Sequence, residues 1–147
     1  MDKLVELLRE VSGFFQSCLQ ELPSLRDLKL APFQGRLLTL VSRRPGCSQQ
    51  ELAAWMDRDK AQIARTIKEL EARGFLVRSA QKSDWRSYSL ILTAEGERAC
   101  ALLMQERAAL ALAVTAELSA EERRVMTGAL NKMKGRLKKD RMDAARR

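Results

Sequence analysis

A short segment of the chain places polar and cationic side chains around a regular apolar pattern. Ile63, Ile67 and Leu70 are spaced by four and three residues, so they would share the buried face of a helix. The remaining positions then present side chains that can hydrogen-bond to base edges or to phosphates. These candidate contact residues are Lys60, Gln62, Ala64, Arg65 and Lys68. The arrangement predicts a helix that reads the major groove of duplex DNA.

The members of this set suit different parts of a nucleic acid. Gln62 can pair with adenine and Arg65 with guanine, whereas Lys60 is better suited to a phosphate. Ala64 is small enough to allow close approach, and Thr66 is expected to be exposed beside it. Because polar residues cover most helices, an ordinary solvated face fits the same pattern. The choice depends on the elements around this helix.

A second group of charged residues lies between two segments of strand composition. Residues 75–79 and 88–92 predict a β-hairpin, and the polar stretch between them predicts a long tip. The tip contains Lys82, Asp84 and Arg86. An arginine at such a tip can enter a narrow minor groove. Asp84 would hold the Arg86 guanidinium in position through a charge-assisted hydrogen bond.

Two short helices precede this hairpin. Ser48 and Glu51 have the spacing of a capping box and open the first helix, while Asp59 would cap the second and Gly74 would end it. Two helices joined by about three residues fit a helix-turn-helix, and a hairpin directly after the second helix is a wing. The candidate contacts at the start of the first helix and the base of the wing are Ser48, Gln49 and Arg78.

Apolar stripes outside this region predict four further helices. One stripe runs from Leu4 to Leu19, and another covers residues 33–41. Two helices follow the hairpin, capped by Thr93 and by Ser119. The first and the last two helices carry more apolar surface than one small winged head can cover. We therefore expect them to interlock with a second copy of the chain.

The predicted fold is mainly α with a small β-hairpin: a winged helix-turn-helix with N- and C-terminal dimerisation helices. The predicted parts are an N-terminal dimerisation helix (1–22), a winged helix-turn-helix DNA-binding region (31–93), C-terminal dimerisation helices (94–140) and a basic tail (141–147). Residues 132–147 hold eight basic and two acidic residues, so this segment is expected to fray into solvent.

Composition limits the classes of function. The net charge of +8 favours a polyanionic partner. The absence of histidine excludes His-ligated metal sites and His-based acid–base catalysis. The three cysteines, Cys18, Cys47 and Cys100, lack metal-ligand spacing. We expect no enzymatic activity, no cofactor, no metal, no signal peptide, no membrane span and a cytoplasmic location.

Several motifs of the chain resemble those of one known family. They are Gln50-Glu51-Leu52-Ala53, Leu70-Glu71-Ala72-Arg73-Gly74-Phe75-Leu76-Val77-Arg78, Asp84-Trp85-Arg86, Leu92-Thr93-Ala94-Glu95-Gly96 and Leu118-Ser119-Ala120-Glu121-Glu122. In this order they resemble the multiple antibiotic resistance regulator (MarR) family of winged helix-turn-helix transcriptional regulators. The chain departs from the family at Asp57-Arg58, where members often have glycine and then an apolar residue. Asp tolerates a left-handed turn, so the turn is expected to survive.

The resemblance implies a homodimer with recognition helices in successive major grooves and wings over the flanking minor grooves. By resemblance, Arg86 is the wing arginine and Asp84 its supporting acid. The family also implies repression relieved by a small phenolic or aromatic ligand or by oxidation. Cys18 lies roughly where one branch has a peroxide-sensing cysteine, which makes it the candidate redox sensor. It also completes the apolar stripe of the first helix, where a buried cysteine acts as an inert hydrophobe.

The sequence thus predicts a sequence-specific regulator that binds double-stranded DNA at an inverted-repeat operator. The alternative is a winged-helix module for protein interaction or for architectural nucleic-acid binding. Strong salt dependence and preference for one duplex sequence would favour the regulator.

Overall fold

The computed structural model describes the backbone of residues 2–81 and 84–146. It describes the side chains of residues 2–79 and 88–146. In this part of the chain the elements are α1 (Lys3–Gln20), α2 (Pro23–Asp27), α3 (Pro32–Arg43), α4 (Gln49–Met56), α5 (Lys60–Ala72), β1 (Leu76–Gln81), β2 (Asp84–Leu92), α6 (Ala94–Val114) and α7 (Ala120–Ala145). The chain divides into two compact units, Met1–Ala109 and Leu110–Arg147.

The first unit has one hydrophobic core beneath the helix-turn-helix. Its fully buried side chains come from α3, α4, α5, the hairpin and the first half of α6, and include Leu37, Leu52, Ile63, Leu76 and Leu103. The antiparallel strands pair Leu76 with Leu92 and Val77 with Ile91. Because side chains alternate along a strand, Leu76, Leu90 and Leu92 enter the core while Val77 and Ile91 stay exposed.

Two glycines allow elements of this unit to approach closely. A Cβ at Gly35 would lie 2.7 Å from Leu25 Cδ2 and 3.3 Å from Leu103 Cδ1, so α2, α3 and α6 meet there. A Cβ at Gly96 would overlap the carbonyl oxygen of Phe75, because α6 begins directly against the backbone that enters the wing. These contacts set where the helix-turn-helix and the wing lie in the unit.

Local capping rules predict the helix-turn-helix correctly. The Ser48 hydroxyl accepts from the backbone N–H of Glu51 at 3.1 Å, and the Asp59 carboxylate accepts from that of Ala61 at 3.2 Å. Asp57 has φ 51° and ψ 51°, the left-handed conformation expected between the two helices. Gly74 ends α5 with φ 77°.

The loop before α4 is also held by the hairpin. Leu90 donates its N–H to the carbonyl of Cys47 at 2.9 Å, and Gly46 donates to the carbonyl of Leu90 at 2.9 Å. This bridge fixes the start of α4 against β2.

Two sequence-based predictions for the first unit are incomplete or wrong. The apolar stripes did not indicate the short helix α2, which spans five residues and begins at Pro23, a residue suited to a first helical turn. The prediction of a long hairpin tip is wrong, because β1 continues to Gln81 and β2 already begins at Asp84. The register of the two strands is irregular after Ala80. Backbone ladder bonds extend the pairing past the apolar segment, and those bonds do not depend on side-chain polarity.

The second unit contains the end of α6 and all of α7. The capping box at its turn is complete, since Ser119 Oγ accepts from Glu122 N–H at 3.1 Å and Glu122 Oε2 accepts from Ser119 N–H at 2.8 Å. Residues 132–145 were predicted to fray, but this is wrong, because α7 continues as a helix to Ala145. Lys and Arg have high helix propensity, and Arg136 pairs with Asp140 one turn on, at 3.3 Å.

Apolar side chains remain exposed on α1 and on α7. Neither helix has a buried residue, and Phe14 on α1 is 72% exposed. On α7 the exposed apolar residues are Val125, Met126, Leu130, Leu137 and Met142. Among the described helices, none combines the length and apolar character needed to cross a membrane.

Candidate nucleic-acid interface

Helix α5 separates into a buried face and an exposed face, as its sequence predicts. Ile63, Ile67 and Leu70 are fully buried against the core. Of the candidate contact residues, Lys60, Arg65 and Lys68 are exposed, while Gln62 and Ala64 are half-buried at the edge of the exposed face. The structure therefore brings three cations and one amide to the outer side of one helix.

Thr66 does not belong to this exposed face, which corrects the sequence-based prediction. It is buried, and its hydroxyl donates to the carbonyl of Gln62 at 2.8 Å. A threonine on a helix can satisfy its hydroxyl on the preceding turn, so burial leaves no unpaired polar group.

The candidate residues Ser48 and Gln49 lie at the start of α4. Both are half-buried, and the Ser48 hydroxyl is occupied by its capping bond to Glu51. Helix α5 is in turn held to α3, since Gln34 donates to Glu69 Oε2 at 3.0 Å. The exposed face of α5 is thus supported on a packed scaffold.

Arg78, predicted to contact DNA, is bound within the protein. Its Nε and Nη2 atoms both lie 2.9 Å from Glu71 Oε2, and its guanidinium lies 5.8 Å from the centre of the Tyr88 ring. Glu71 is in the last turn of α5 and Arg78 in β1, so the pair links α5 to the wing. A contact of Arg78 with DNA stays a prediction.

The charged residues of the wing tip lie outside what the structure describes in detail. Lys82 is outside the described residues, and the side chains of Asp84 and Arg86 are outside the described side chains. The predicted hydrogen bond between Asp84 and Arg86 therefore stays a prediction.

Arg73 and Thr93 brace the winged region and were not predicted to do so. Arg73 donates through Nη1 to the carbonyl of Lys29 at 2.7 Å and through Nη2 to that of Leu28. Lys29 is left-handed, with φ 52°, so Arg73 ties this turn to the end of α5. Thr93, besides accepting from the N–H of Gly96 at 3.1 Å as a cap, donates to the carbonyl of Gly74.

Helix α6 carries two further polar contacts that sequence reasoning missed. Glu106 accepts from both the N–H and the hydroxyl of Ser24, at 3.0 and 2.6 Å. Arg107 donates to the buried hydroxyl of Thr39 at 2.9 Å. In both cases the partners are distant in the sequence, so no local pattern could have shown them.

Arg107 is a half-buried cation in a cationic neighbourhood. Its pKa is lowered chiefly by burial, and further by the charges of Arg43 and Arg36 on α3. Arg36 and Arg43 are seven residues apart, so they lie on the same side of α3 as Thr39. Arg107 has no carboxylate partner within residues 2–79 and 88–146, whose side chains are described.

The cysteines differ in accessibility. Cys18 is exposed on α1, whereas Cys47 and Cys100 are buried. Burial raises the pKa of the Cys47 thiol and raises that of Cys100 to about 11, so both are protonated at neutral pH. No cluster of three or more His, Cys, Asp or Glu side chains suited to a metal ion occurs in the described part of the chain.

A family model described as "MarR family" matches residues 30–88, which run from the turn before α3 into β2. The matched segment contains the whole helix-turn-helix, with the Asp57 turn and the buried face of α5. This match confirms the resemblance to the MarR family that the sequence motifs indicate. The prediction of a mainly α, winged helix-turn-helix fold with a two-stranded hairpin is confirmed.

Proteins similar to this chain include named transcriptional regulators. It is 33% identical over 97 residues to a Thauera aromatica protein named as a regulator of the hcr operon, covering 66% of this chain and 58% of that protein. It is 40% identical over 58 residues to the HTH-type transcriptional regulator BilQ of Clostridium symbiosum, covering 40% of each chain. The matches thus span less than two thirds of these two relatives.

Solved structures share the fold over nearly the whole chain. A MarR protein from Peptoclostridium difficile superposes with a TM-score of 0.76 at 26% identity, covering 91% of this chain and 88% of that one. A Listeria monocytogenes protein in complex with a 26mer DNA superposes with a TM-score of 0.75 at 21% identity, covering 95% and 92%.

Proposed function

We propose that this MarR-family protein is a transcriptional regulator that binds duplex DNA sequence-specifically as a homodimer. The observation that carries the proposal is the exposed face of α5, where Lys60, Arg65 and Lys68 project from a helix whose other face is fully buried. A helix held in this way can enter a major groove without losing its packing on the core. The Listeria monocytogenes protein of the same fold is in complex with DNA.

The contacts would divide between bases and backbone. Gln62 and Arg65 have the donor geometry to read adenine and guanine, while Lys60 and Lys68 neutralise phosphates. Ser48 and Gln49 at the start of α4 would contact the phosphate backbone of the DNA. In the wing, Lys82 would add a phosphate contact, and Arg86 supported by Asp84 would enter the minor groove.

A second copy of the chain is the proposed partner of the exposed apolar faces. Phe14 on α1 and Leu137 on α7 are large apolar side chains that one chain leaves exposed, and an exposed apolar face on a helix often marks an interface. A twofold dimer presents two recognition helices, which suits an inverted repeat with half-sites about one helical turn apart. We place this protein in the cytoplasm, with its DNA.

The proposed output is repression that a small molecule releases. Arg107, half-buried and without an acidic partner in the described chain, offers a guanidinium to an anion, and Arg36 and Arg43 add positive potential. A small aromatic or phenolic anion would match that charge, and neighbouring core side chains would cover its ring. Oxidation is the other candidate signal, with exposed Cys18 as its sensor.

The first experiment is selection of a random duplex library on the purified protein at near-physiological salt. We expect enrichment of an inverted repeat, and a relaxed preference at one base pair of each half-site when the variant Arg65→Ala is used. The matched control is Arg98→Ala, since Arg98 is exposed on α6 and pairs with Glu95. Binding without enrichment, present only at low salt, would instead identify an architectural module.

The release step is tested with the enriched operator. Aromatic carboxylates and phenols are titrated into the complex, and at least one should lower the affinity for DNA in the wild type but not in Arg107→Gln. If Arg107→Gln responds to the same compound at the same concentration, the effector does not use Arg107.

A further inference from the structure

Helix α2 is too short to be stable by itself, so its position depends on contacts with other elements. It spans five residues, whereas isolated helices shorter than about 12 residues are marginal in water. Its N-cap residue, Leu22, makes no side-chain capping hydrogen bond. Its buried Leu25 lies where α2, α3 and α6 meet, beside Gly35 and Leu103. Side chains from two other helices hold the two ends of α2.

A carboxylate from α6 caps the first turn of α2. Glu106 accepts from the backbone N–H of Ser24 at 3.0 Å and from its hydroxyl at 2.6 Å. Ser24 is buried, and a negative charge at the start of a helix satisfies N–H groups that have no partner within the helix. Both residues belong to the compact unit Met1–Ala109, which also contains α5 and the wing. The start of α2 is therefore tied to α6, next to Arg107.

An arginine from the end of α5 holds the other end of α2. Arg73 donates through Nη1 to the carbonyl of Lys29 at 2.7 Å and through Nη2 to that of Leu28. Its guanidinium also lies 5.0 Å from the centre of the Phe75 ring. Leu28 is the C-cap of α2 and Arg73 the C-cap of α5. A planar guanidinium with two acceptors and an aromatic neighbour is held in one orientation, so the end of α5 is tied to α2.

We propose that α2 couples α6 to the DNA-binding elements, with Arg73 as the positioning residue at the α5 end. The contact between Ser24 and Glu106 fixes α2, and α2 acts through Arg73 on the end of α5 and the base of the wing. Both contacts lower the cost of ordering α5 for DNA binding without touching DNA. The inference rests on the proposed function, and it gives a path by which an anion at Arg107 would change the affinity for DNA.

A direct contact between Arg73 and a phosphate is the alternative role for this residue, because its side chain is exposed. Both of its terminal nitrogens already donate to carbonyls of the protein, which favours positioning. The two roles differ in salt dependence, since each lost phosphate contact lowers the slope of log K against log salt by about 0.9. They also differ in their dependence on Ser24, which is buried and distant in sequence from α5.

The test compares Arg73→Met, Arg73→Lys, Ser24→Ala and the double variant Ser24→Ala/Arg73→Met with the wild type. The matched control is Arg26→Met, because Arg26 is an exposed cation of α2 that lies 3.8 Å from Asp27. Affinity for the enriched operator is measured across a range of salt concentrations, and urea unfolding is measured separately for each variant.

We expect Arg73→Met to lower the operator affinity by about 2- to 30-fold with the wild-type salt slope. Arg73→Lys should recover most of that loss, because an ammonium can donate to the same two carbonyls. Ser24→Ala should lower the affinity in the wild type but not further in Arg73→Met, since both residues act through α2. The control should keep the wild-type affinity and slope.

Three results would overturn the coupling through α2. One is additive losses in the double variant, and another is lower stability in urea with unchanged operator affinity for Arg73→Met and Ser24→Ala. The third is a smaller salt slope for Arg73→Met, which would make Arg73 a phosphate contact. A wild type that binds no duplex at all would instead refute the proposed function itself, and the coupling with it.

Discussion

Glu71 and Arg78 join the recognition helix to the wing through one carboxylate oxygen, which lies 2.9 Å from both Nε and Nη2 of the arginine. The two side chains are only 28% and 24% exposed, so water screens this ion pair less than a surface pair. Glu71 is in the last turn of α5, and Arg78 is the third residue of β1, which follows after a connection of three residues. This ion pair therefore links α5 to the wing, the two elements that we propose contact DNA.

Neutralising either partner of the Glu71–Arg78 pair should destabilise the protein. We expect Glu71→Gln and Arg78→Gln each to lower the free energy of unfolding by about 1 kcal/mol, and the double variant to lose less than the sum. Urea unfolding measures all three. Arg78→Gln should leave the salt slope of DNA binding unchanged, because Glu71 already neutralises its charge. A slope smaller by about 0.9 per arginine would restore Arg78 as a phosphate contact.

Truncation of Lys60 and truncation of Arg65 should change DNA binding in different ways. Arg65→Ala should relax the preference for one base pair by about 1–3 kcal/mol, because a bidentate contact to guanine is lost. Lys60→Ala should weaken all duplexes alike and reduce the salt slope. Competition binding with single-base operator variants separates the two effects. Equal losses for both variants on specific and random DNA would contradict this division.

Gly96→Ala should disrupt the junction between α6 and the wing. The new Cβ would overlap the Phe75 carbonyl, a backbone atom that cannot move without shifting the strand, and overpacking of this kind costs about 1–3 kcal/mol. The matched control is Gly135→Ala in α7, where a Cβ meets nothing within 4 Å, and alanine should stabilise the helix by about 1 kcal/mol. Thermal unfolding would show the contrast; equal midpoints for the two variants would refute the close approach.

Phe14→Glu should weaken the proposed homodimer. Phe14 is exposed on the apolar face of α1, and a carboxylate there would have to be desolvated in the interface. Gln16→Glu introduces the same charge at an exposed position on the opposite side of the helix. Analytical ultracentrifugation should find dimers for the control and monomers for Phe14→Glu at low micromolar concentration. Two dimeric variants of equal stability would exclude this face of α1 from the interface.

The buried thiols should stay unreactive until high pH. The pKa of Cys100 is raised from 9.0 to about 11 by burial, so its neutral form is favoured in the folded state. The resulting stabilisation is complete below pH 9 and is lost as the pH rises from 9 to 11. The stability difference between wild type and Cys100→Ala should therefore shrink over that interval.

The three thiols should also react at different rates in the folded protein. At pH 8 a thiol reagent should modify Cys18 before Cys47 and Cys100, and urea should make all three accessible. Equal rates in the folded protein would contradict the burial of Cys47 and Cys100.

Much of the fold could be predicted because its signals are local. The caps at Ser48 and Ser119, the left-handed Asp57 and the stop at Gly74 each depend on a few consecutive residues and their backbone geometry. The periodicity of Ile63, Ile67 and Leu70 was sufficient to identify the buried face of α5 and, by difference, most of its exposed side chains.

The sequence by itself thus determined the order of all the described helices except α2, the winged helix-turn-helix and the exposed cations of α5. Tertiary structure alone decided the burial of Thr66, the length of the strands and the engagement of Arg78 by Glu71. It also decided that Arg107 reaches Thr39 across 68 residues and Glu106 reaches Ser24 across 82. Local propensities act over one or two turns of chain, whereas these contacts depend on how packed elements bring distant side chains together.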